Sequence, residues 1–225
     1  MKAIIVADGE VPQTADALDG LLAPDQDGSI VVIAADGGAR KAADLGLTPD
    51  LVIGDGDSLG REDIDRLRES GVEVQLLPAE KDESDTELAV REALARGART
   101  IVVLGAFGGR RLDHTLANVA LLALPELAGR DMSLWDGRAR ARLIGRADGP
   151  GAIRVAGERG DLVSLFPVDP RVDGVTTDGL RYPLRGEALV VGPSRGLSNE
   201  LVDASGGITT ARGRLLVVHT TRRPA

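Results

Sequence analysis

The chain contains no cysteine. Disulfides and thiolate metal sites are therefore excluded, and a reducing, cytoplasmic setting is expected. Aromatic residues make up only 2%, with one tryptophan, one tyrosine and two phenylalanines, so each ring stands out. No apolar run approaches the roughly 20 residues that a membrane-crossing helix needs. The first ten residues, MKAIIVADGE, read as an opening strand rather than a signal peptide. Lysine and arginine number 27 against 35 aspartates and glutamates, a net charge of -8. Such an acidic surface repels polyanions, which argues against nucleic acid or an anionic membrane as the main partner. Carboxylates in excess suit a divalent cation or a cationic small molecule.

Two nucleotide signatures are missing as well. No G-x-G-x-x-G stands where a dinucleotide fold would use it, and no G-x-x-x-x-G-K-[ST] occurs. No internal repeat is visible. What remains is 225 residues with 43% hydrophobic content, enough for one large or two small domains.

The two halves have different rhythms. Short apolar runs at 3–7, 30–35, 51–54, 72–77 and 100–106 alternate with helix-like stretches at 12–22, 38–46, 61–70, 84–96 and 113–124. That alternation predicts βαβ units and a mostly parallel sheet. In such sheets ligands bind at the loops following the strands. Beyond Trp135 the pattern becomes short strands at 141–145, 152–156, 161–168, 174–184, 187–192 and 214–221, punctuated by Gly, Pro and Asp. This half predicts an all-β sandwich or small barrel. The expected division is an α/β domain over 1–136 and a β-domain over 137–225.

The unusual residues lie in the loops of the first half. LVIGDGDSLG (51–60) ends a strand with Asp55 and Asp57 two residues apart, set among glycines. The two carboxylates can converge, and converging carboxylates repel unless a cation lies between them. A hard ion with oxygen ligands, Mg²⁺ above all, answers that need. An isolated D-G-D is more often an Asx-turn, here with Ser58 capping the next helix. This one is not isolated. EKDESDTE (80–87) carries Lys81, Asp82 and Asp85, more charge than the capping box of Ser84 and Glu87 requires.

GAFGGRRLDHTLAN (105–118) follows the most apolar strand. Gly105, Gly108 and Gly109 free backbone N–H groups for an anion, and Arg110 and Arg111 offer planar phosphate clamps. Asp113 is placed to cap the helix, while His114 and Asn118 share one helical face. Asp36-Gly37-Gly38 offers further amides at a helix start. Acids for a metal, basic groups and amides for phosphates, and no nucleophile dyad point to metal-assisted phosphate transfer.

The ordered set ADGGA (35–39), TPDLVIGDGDSL (48–59), EKDESDTELAV (80–90) and GGRRLDHTLAN (108–118) resembles the thiamine pyrophosphokinase (thiamine diphosphokinase) family. GVTTDGLRYPL (174–184) and GLSNE (196–200) are similar to that family's C-terminal motifs. The resemblance implies an α/β catalytic domain binding ATP and Mg²⁺, then a β-sandwich binding thiamine. It implies a homodimer with sites between subunits, and transfer of pyrophosphate from ATP to the thiamine hydroxyl with release of AMP. Asp55, Asp57 and Asp82 or Asp85 would hold Mg²⁺, and Arg111, Asp113 and His114 match the family's R-x-D-H. Asp36, Gly37, Gly38, Lys81, Gly108, Gly109, Arg110, Arg111 and Asn118 would serve ATP, and Ser198 and Asn199 would line the thiamine site.

Three positions depart from the family pattern. Gly56 stands where an aromatic is common. GGRRLDH is one residue longer than usual, leaving the roles of Arg110 and Arg111 undivided. Tyr182 replaces a frequent indole, still offering a ring face to a cationic thiazolium. The competing readings are a pyrophosphokinase for another alcohol such as a hydroxymethyl pterin, and a non-catalytic thiamine or nucleotide sensor. A purely structural dimer module is a third.

Overall fold

A computed structural model describes residues 1–11, 18, 20–23, 28–109 and 111–222. The expected helix over 12–22 falls largely outside the described residues, as does Arg110. The chain separates into two units, Met1–Gly137 and Arg138–Pro224.

In the first unit the central apolar runs become strands covered on both faces, while the run Glu73–Leu76 at the sheet edge stays largely accessible. β1 (Lys2–Val6) is buried at every position, as are five of the six residues of β2 (Ile30–Ala35). β3 (Leu51–Gly54), β4 (Glu73–Leu76), β5 (Thr100–Leu104) and β6 (Asp131–Trp135) follow. Their order across the sheet is β6-β5-β1-β2-β3-β4. Every pairing among these strands is parallel. The loops after β1, β2, β3, β4 and β5 therefore emerge at one edge. Chain order reverses beside β1, where β5 rather than β2 takes its other side. Such a reversal opens a crevice in doubly wound sheets.

The helices are α1 (Gly38–Asp44), α2 (Arg61–Glu69), α3 (Asp85–Ala95) and α4 (Leu112–Leu121). Ser84 caps α3, its hydroxyl accepting from the Glu87 N–H at 3.2 Å. The reciprocal half of the expected box is replaced, since the Glu87 carboxylate pairs with Arg91 one turn on. Two expected caps are corrected. Gly60, not Ser58, stands at the start of α2, and Arg111, not Asp113, at the start of α4. Both side chains are engaged with close neighbours instead: Ser58 with Asp57, and Asp113 with Arg111.

The second unit is antiparallel throughout. One sheet runs β12 (Asn199–Glu200), β9 (Leu162–Pro167), β14 (Leu215–Thr220), β7 (Ala139–Ile144). The other runs β11 (Arg185–Val190), β10 (Arg171–Asp178), β13 (Ser205–Thr210), β8 (Gly151–Ala156). Val163, Leu165, Leu215 and Val217 of the first sheet share one core with Val155, Val172, Val175, Leu189 and Ile208 of the second. The unit is thus a sandwich. The strand expected over 174–184 stops at Asp178, because Gly179 takes φ +67° and turns the chain. β13 has no alternating apolar pattern to announce it. A Cβ at Gly206 would lie 2.9 Å from Leu201 Cδ2, so close packing, not side-chain burial, explains its composition.

Among the described residues no helix is long and apolar enough to cross a membrane.

Candidate active site

The edge of the parallel sheet brings three acids together. Asp36 ends β2 with φ +43°, a left-handed conformation that aspartate tolerates better than most residues. Its N–H donates to the Ile53 carbonyl at 2.9 Å, tying this loop to the end of β3. Asp55 and Asp57 follow β3. The Asp57 N–H donates to Asp55 Oδ1 at 3.0 Å, and Gly56 supplies φ +76°. The Asx-turn expected of an isolated D-G-D is therefore present. It coexists with a second arrangement: one carboxylate oxygen from each of Asp36, Asp55 and Asp57 lies within 4.8 Å of the others.

These acids are only partly compensated. The Ser58 N–H donates to Asp36 Oδ2 at 3.3 Å, and the Ser58 hydroxyl to Asp57 Oδ1 at 3.0 Å. Asp36 Oδ1 is buried and receives no hydrogen bond. A buried carboxylate with one oxygen lacking a donor, in a group with two more carboxylates, is costly unless a cation completes it. The donor set is all oxygen, which fits a hard divalent ion such as Mg²⁺.

Among the described residues Lys81 is the basic group that pairs with this acid cluster. Its largely buried ammonium lies 3.0 Å from Asp85 Oδ1 and 3.8 Å from Asp55 Oδ2. Burial pushes the ammonium pKa down, but Asp85, Asp55 and Asp36 outweigh it and hold Lys81 above its ordinary value. Burial raises the Asp85 carboxyl, helped by Asp55 and Asp36 and opposed by Lys81. Asp82 is exposed and lies outside the three-acid group.

The glycine-rich loops lie at the same edge. Gly9 N–H donates to the Gly105 carbonyl at 2.9 Å and Glu10 N–H to Phe107 at 2.8 Å, stitching the loop after β1 to the loop after β5. Gly105, Gly108 and Gly109 all have positive φ, near +70°. Arg111 grips Asp113 in a fork, Nε to Oδ1 at 2.9 Å and an η-nitrogen to Oδ2 at 2.5 Å. The guanidinium hydrogen bond holds the exposed Asp113 carboxyl at about 2. His114 is exposed beside it. Asn118 is buried and donates to the Ala106 carbonyl at 3.0 Å, bracing the glycine loop from within. At α1, a side chain on Gly38 would collide with the Val6 carbonyl, so this glycine permits close packing of helix on strand.

In the sandwich, Tyr182 is 54% exposed while Asn199 is 7% exposed. Asn199 Oδ1 accepts from the Tyr182 N–H at 2.9 Å, and its amide donates to the Tyr182 carbonyl at 2.7 Å. Ser198 is exposed, has φ +56°, and donates its N–H to the Ser164 hydroxyl at 3.0 Å.

Comparison with known proteins bears on these loops directly. Residues 26–132 match the family profile described as thiamin pyrophosphokinase, catalytic domain, and residues 152–215 that of its vitamin B1 binding domain. A crystal structure of thiamin pyrophosphokinase from Geobacillus thermodenitrificans is 31% identical, with TM-score 0.79, covering 98% of this chain and 97% of that one. The chain belongs to the thiamin pyrophosphokinase family. Thiamine pyrophosphokinase from Bacillus subtilis is 28% identical over 190 residues, 84% of this chain and 86% of the relative. A crystal structure of thiamine pyrophosphokinase from that organism superposes with TM-score 0.83 over 99% of this chain and all of that one, at 27% identity. The catalytic-domain match of the thiamin pyrophosphokinase family contains the acid loops and the arginine loop. The vitamin B1 binding match contains Tyr182, Ser198 and Asn199.

The residue that the structure adds to the acid pair expected from the sequence is Asp36. Its position beside Gly37-Gly38 pointed to phosphate amides, whereas its side chain joins Asp55 and Asp57. The available signal was a second aspartate-glycine at the end of a neighbouring strand.

Proposed function

We propose that this thiamine diphosphokinase family member transfers the terminal diphosphate of ATP to the hydroxyl of thiamine, releasing AMP. We assign Mg²⁺ to Asp36, Asp55 and Asp57, with Asp85 rather than the exposed Asp82 as the further acid beside it. The observation that carries this reading is the buried Asp36 carboxylate, one oxygen of which lacks a donor, grouped with Asp55 and Asp57 in a chain whose two halves match both domains of the family. When bound, the metal supplies positive charge to the phosphate oxygens.

The protein's own groups do the rest. Lys81, shared between Asp85 and Asp55, would offer its ammonium to the phosphate oxygens. Arg111, and Arg110 beside it, clamp the phosphate chain; Arg111 exchanges the Asp113 carboxylate for phosphate oxygens of similar geometry. His114 flanks that clamp. The amides of Gly37, Gly38, Gly108 and Gly109 face the anion, and Asn118 holds the glycine loop in shape. Tyr182, Ser198 and Asn199 form the thiamine end. The thiamine oxygen bonds to the β-phosphorus, the bond from that phosphorus to the AMP oxygen breaks, and AMP departs with the electron pair. The hydroxyl proton passes to a carboxylate of the acid group. We further propose a cytoplasmic homodimer with sites between subunits.

The test is chromatography with mass detection after incubating the protein with ATP, MgCl₂ and thiamine, beside a control lacking Mg²⁺. AMP and thiamine diphosphate appearing together, and only with metal, is the expected result. A folded protein that binds ATP and yields neither product overturns it. A hydroxymethyl pterin acceptor and a sensor role, neither favoured by the family match, would then come forward.

A further inference from the structure

The Tyr182 loop is held in an unusual way. Leu180 and Leu184, two residues to either side, are buried at 5% and 1% exposure, while the ring between them faces outward. No regular strand pairing fixes Tyr182 itself. Its backbone is fixed by a side chain. Asn199 accepts from the Tyr182 N–H, donates to the Tyr182 carbonyl, and also accepts from the Glu200 N–H at 2.9 Å. One buried amide thus replaces the ladder bonds that a neighbouring strand would give. Oδ1 takes two donors and one of the two amide N–H groups is committed, so with the residue 7% exposed a single N–H is all that Asn199 could still offer a ligand.

The ring is held from one side as well. The Arg181 guanidinium lies 5.6 Å from the Tyr182 centroid, over one face. Arg181 is itself tethered to Glu200 at 3.1 Å, and Glu200 also meets Arg222 at 3.4 Å. A cation already occupies that face, so a second cation can stack only on the other.

We propose that Asn199 is a positioning residue for the cationic heterocycle of the substrate, acting through Tyr182 rather than by touching it. Arg181, held by Glu200, closes one ring face, so the platform is single-sided. The inference rests on the reading of Tyr182 as part of the thiamine end. Asn199 sets where the ring stands, Glu200 sets Arg181, and Arg181 decides which face receives the thiazolium.

The test uses the fact that Tyr182 is the sole tyrosine. Biosynthetic 3-fluorotyrosine gives one fluorine resonance, a report on this ring alone. Thiamine KM is measured for the wild type, Asn199→Ser, Tyr182→Leu and the double variant. Each single change is expected to raise it about two- to thirtyfold, the range of a cation–ring contact. The double variant should be no worse than Tyr182→Leu, because Asn199 acts through the ring. Asn199→Ser should move the free-protein resonance, and Arg181→Met should move it by uncovering a face.

Additive losses in the double variant, or an unmoved resonance in Asn199→Ser, overturn the positioning role. An unmoved resonance in Arg181→Met overturns the closed face. Tyr182→Leu with unchanged thiamine KM sinks the thiamine-end reading itself, and the inference with it. Should Asn199→Ser fail to fold, Asn199→Asp keeps both acceptor bonds, replaces the donation to the Tyr182 carbonyl by a repulsion between oxygens and adds a negative charge, and the same displacement of the ring resonance is expected.

Discussion

The Cβ that Gly54 lacks would stand 2.8 Å from the Cβ of Asp36, closer than two such carbons approach. The last residue of β3 is therefore glycine because the aspartate of the neighbouring loop occupies its side-chain space. Gly54→Ala should displace Asp36 and cost about 1–3 kcal/mol, as overpacking does elsewhere. Urea denaturation reads the stability change, and the Mg²⁺ concentration needed for half-maximal turnover should rise. An alanine variant with unchanged metal dependence would show that Asp36 needs no fixed position.

Asp57 and Asp36 differ in burial and should differ in response. Asp57 is exposed, so Asp57→Asn should leave the fold intact while turnover falls roughly 10²-fold or more. Asp36→Asn also removes a charge, but here the new amide donor replaces a buried oxygen that has no partner. In metal-free buffer its melting temperature should rise by about 2 °C or more, and the further rise on adding Mg²⁺ should vanish. Normal turnover in Asp57→Asn removes it from the metal site.

The fork between Arg111 and Asp113 is exposed at both ends, with side chains 65% and 63% accessible. Such a pair contributes little to stability, and its worth lies in a guanidinium already shaped for a two-pronged acceptor. Arg111→Lys should leave the melting temperature unchanged and raise the KM for ATP about tenfold or more. Thiamine KM should stay the same. If thiamine KM moves and ATP KM does not, Arg111 belongs to the other substrate.

Two carboxylates of the sandwich predict its acid behaviour. The Arg214 fork and N–H hold Asp169 below its ordinary 3.8. Burial raises Asp161, but the N–H groups of Glu158 and Arg222, with His219 at 3.0 Å, more than offset it and leave it lowered too. A carboxyl whose folded pKa is depressed contributes stability that is present above the unfolded value and lost as pH falls through the folded one. Stability of this unit should be insensitive to these groups above about pH 5 and fall below about pH 4. Asp169→Asn should flatten that fall in a pH series of thermal melts. A fall of unchanged steepness would show that Arg214 does not set it.

Much of this was legible in the chain itself. The buried parallel strands announced themselves because strands covered on both faces must be continuously apolar. The change to short, punctuated strands after Trp135 was visible for the opposite reason, since a sandwich alternates and turns often. Asp55 and Asp57 were readable as a pair because they are two residues apart. β13 was not readable, because two glycines give it its close packing and erase the alternation.

The sequence alone thus determined the two fold types, the family, and the loops that carry charge, since each depends on local period or short spacing. Only the tertiary structure decided which charges meet. Asp36 reaches Asp55 and Asp57 because β2 and β3 are neighbours in a parallel sheet, a register that no local spacing encodes. Asn199 reaches Tyr182 across 17 residues because the short strand β12 lies alongside the loop that follows β10. For Asn199 the deciding term is the need of a buried polar group for partners, which it finds through the fold and not along the chain.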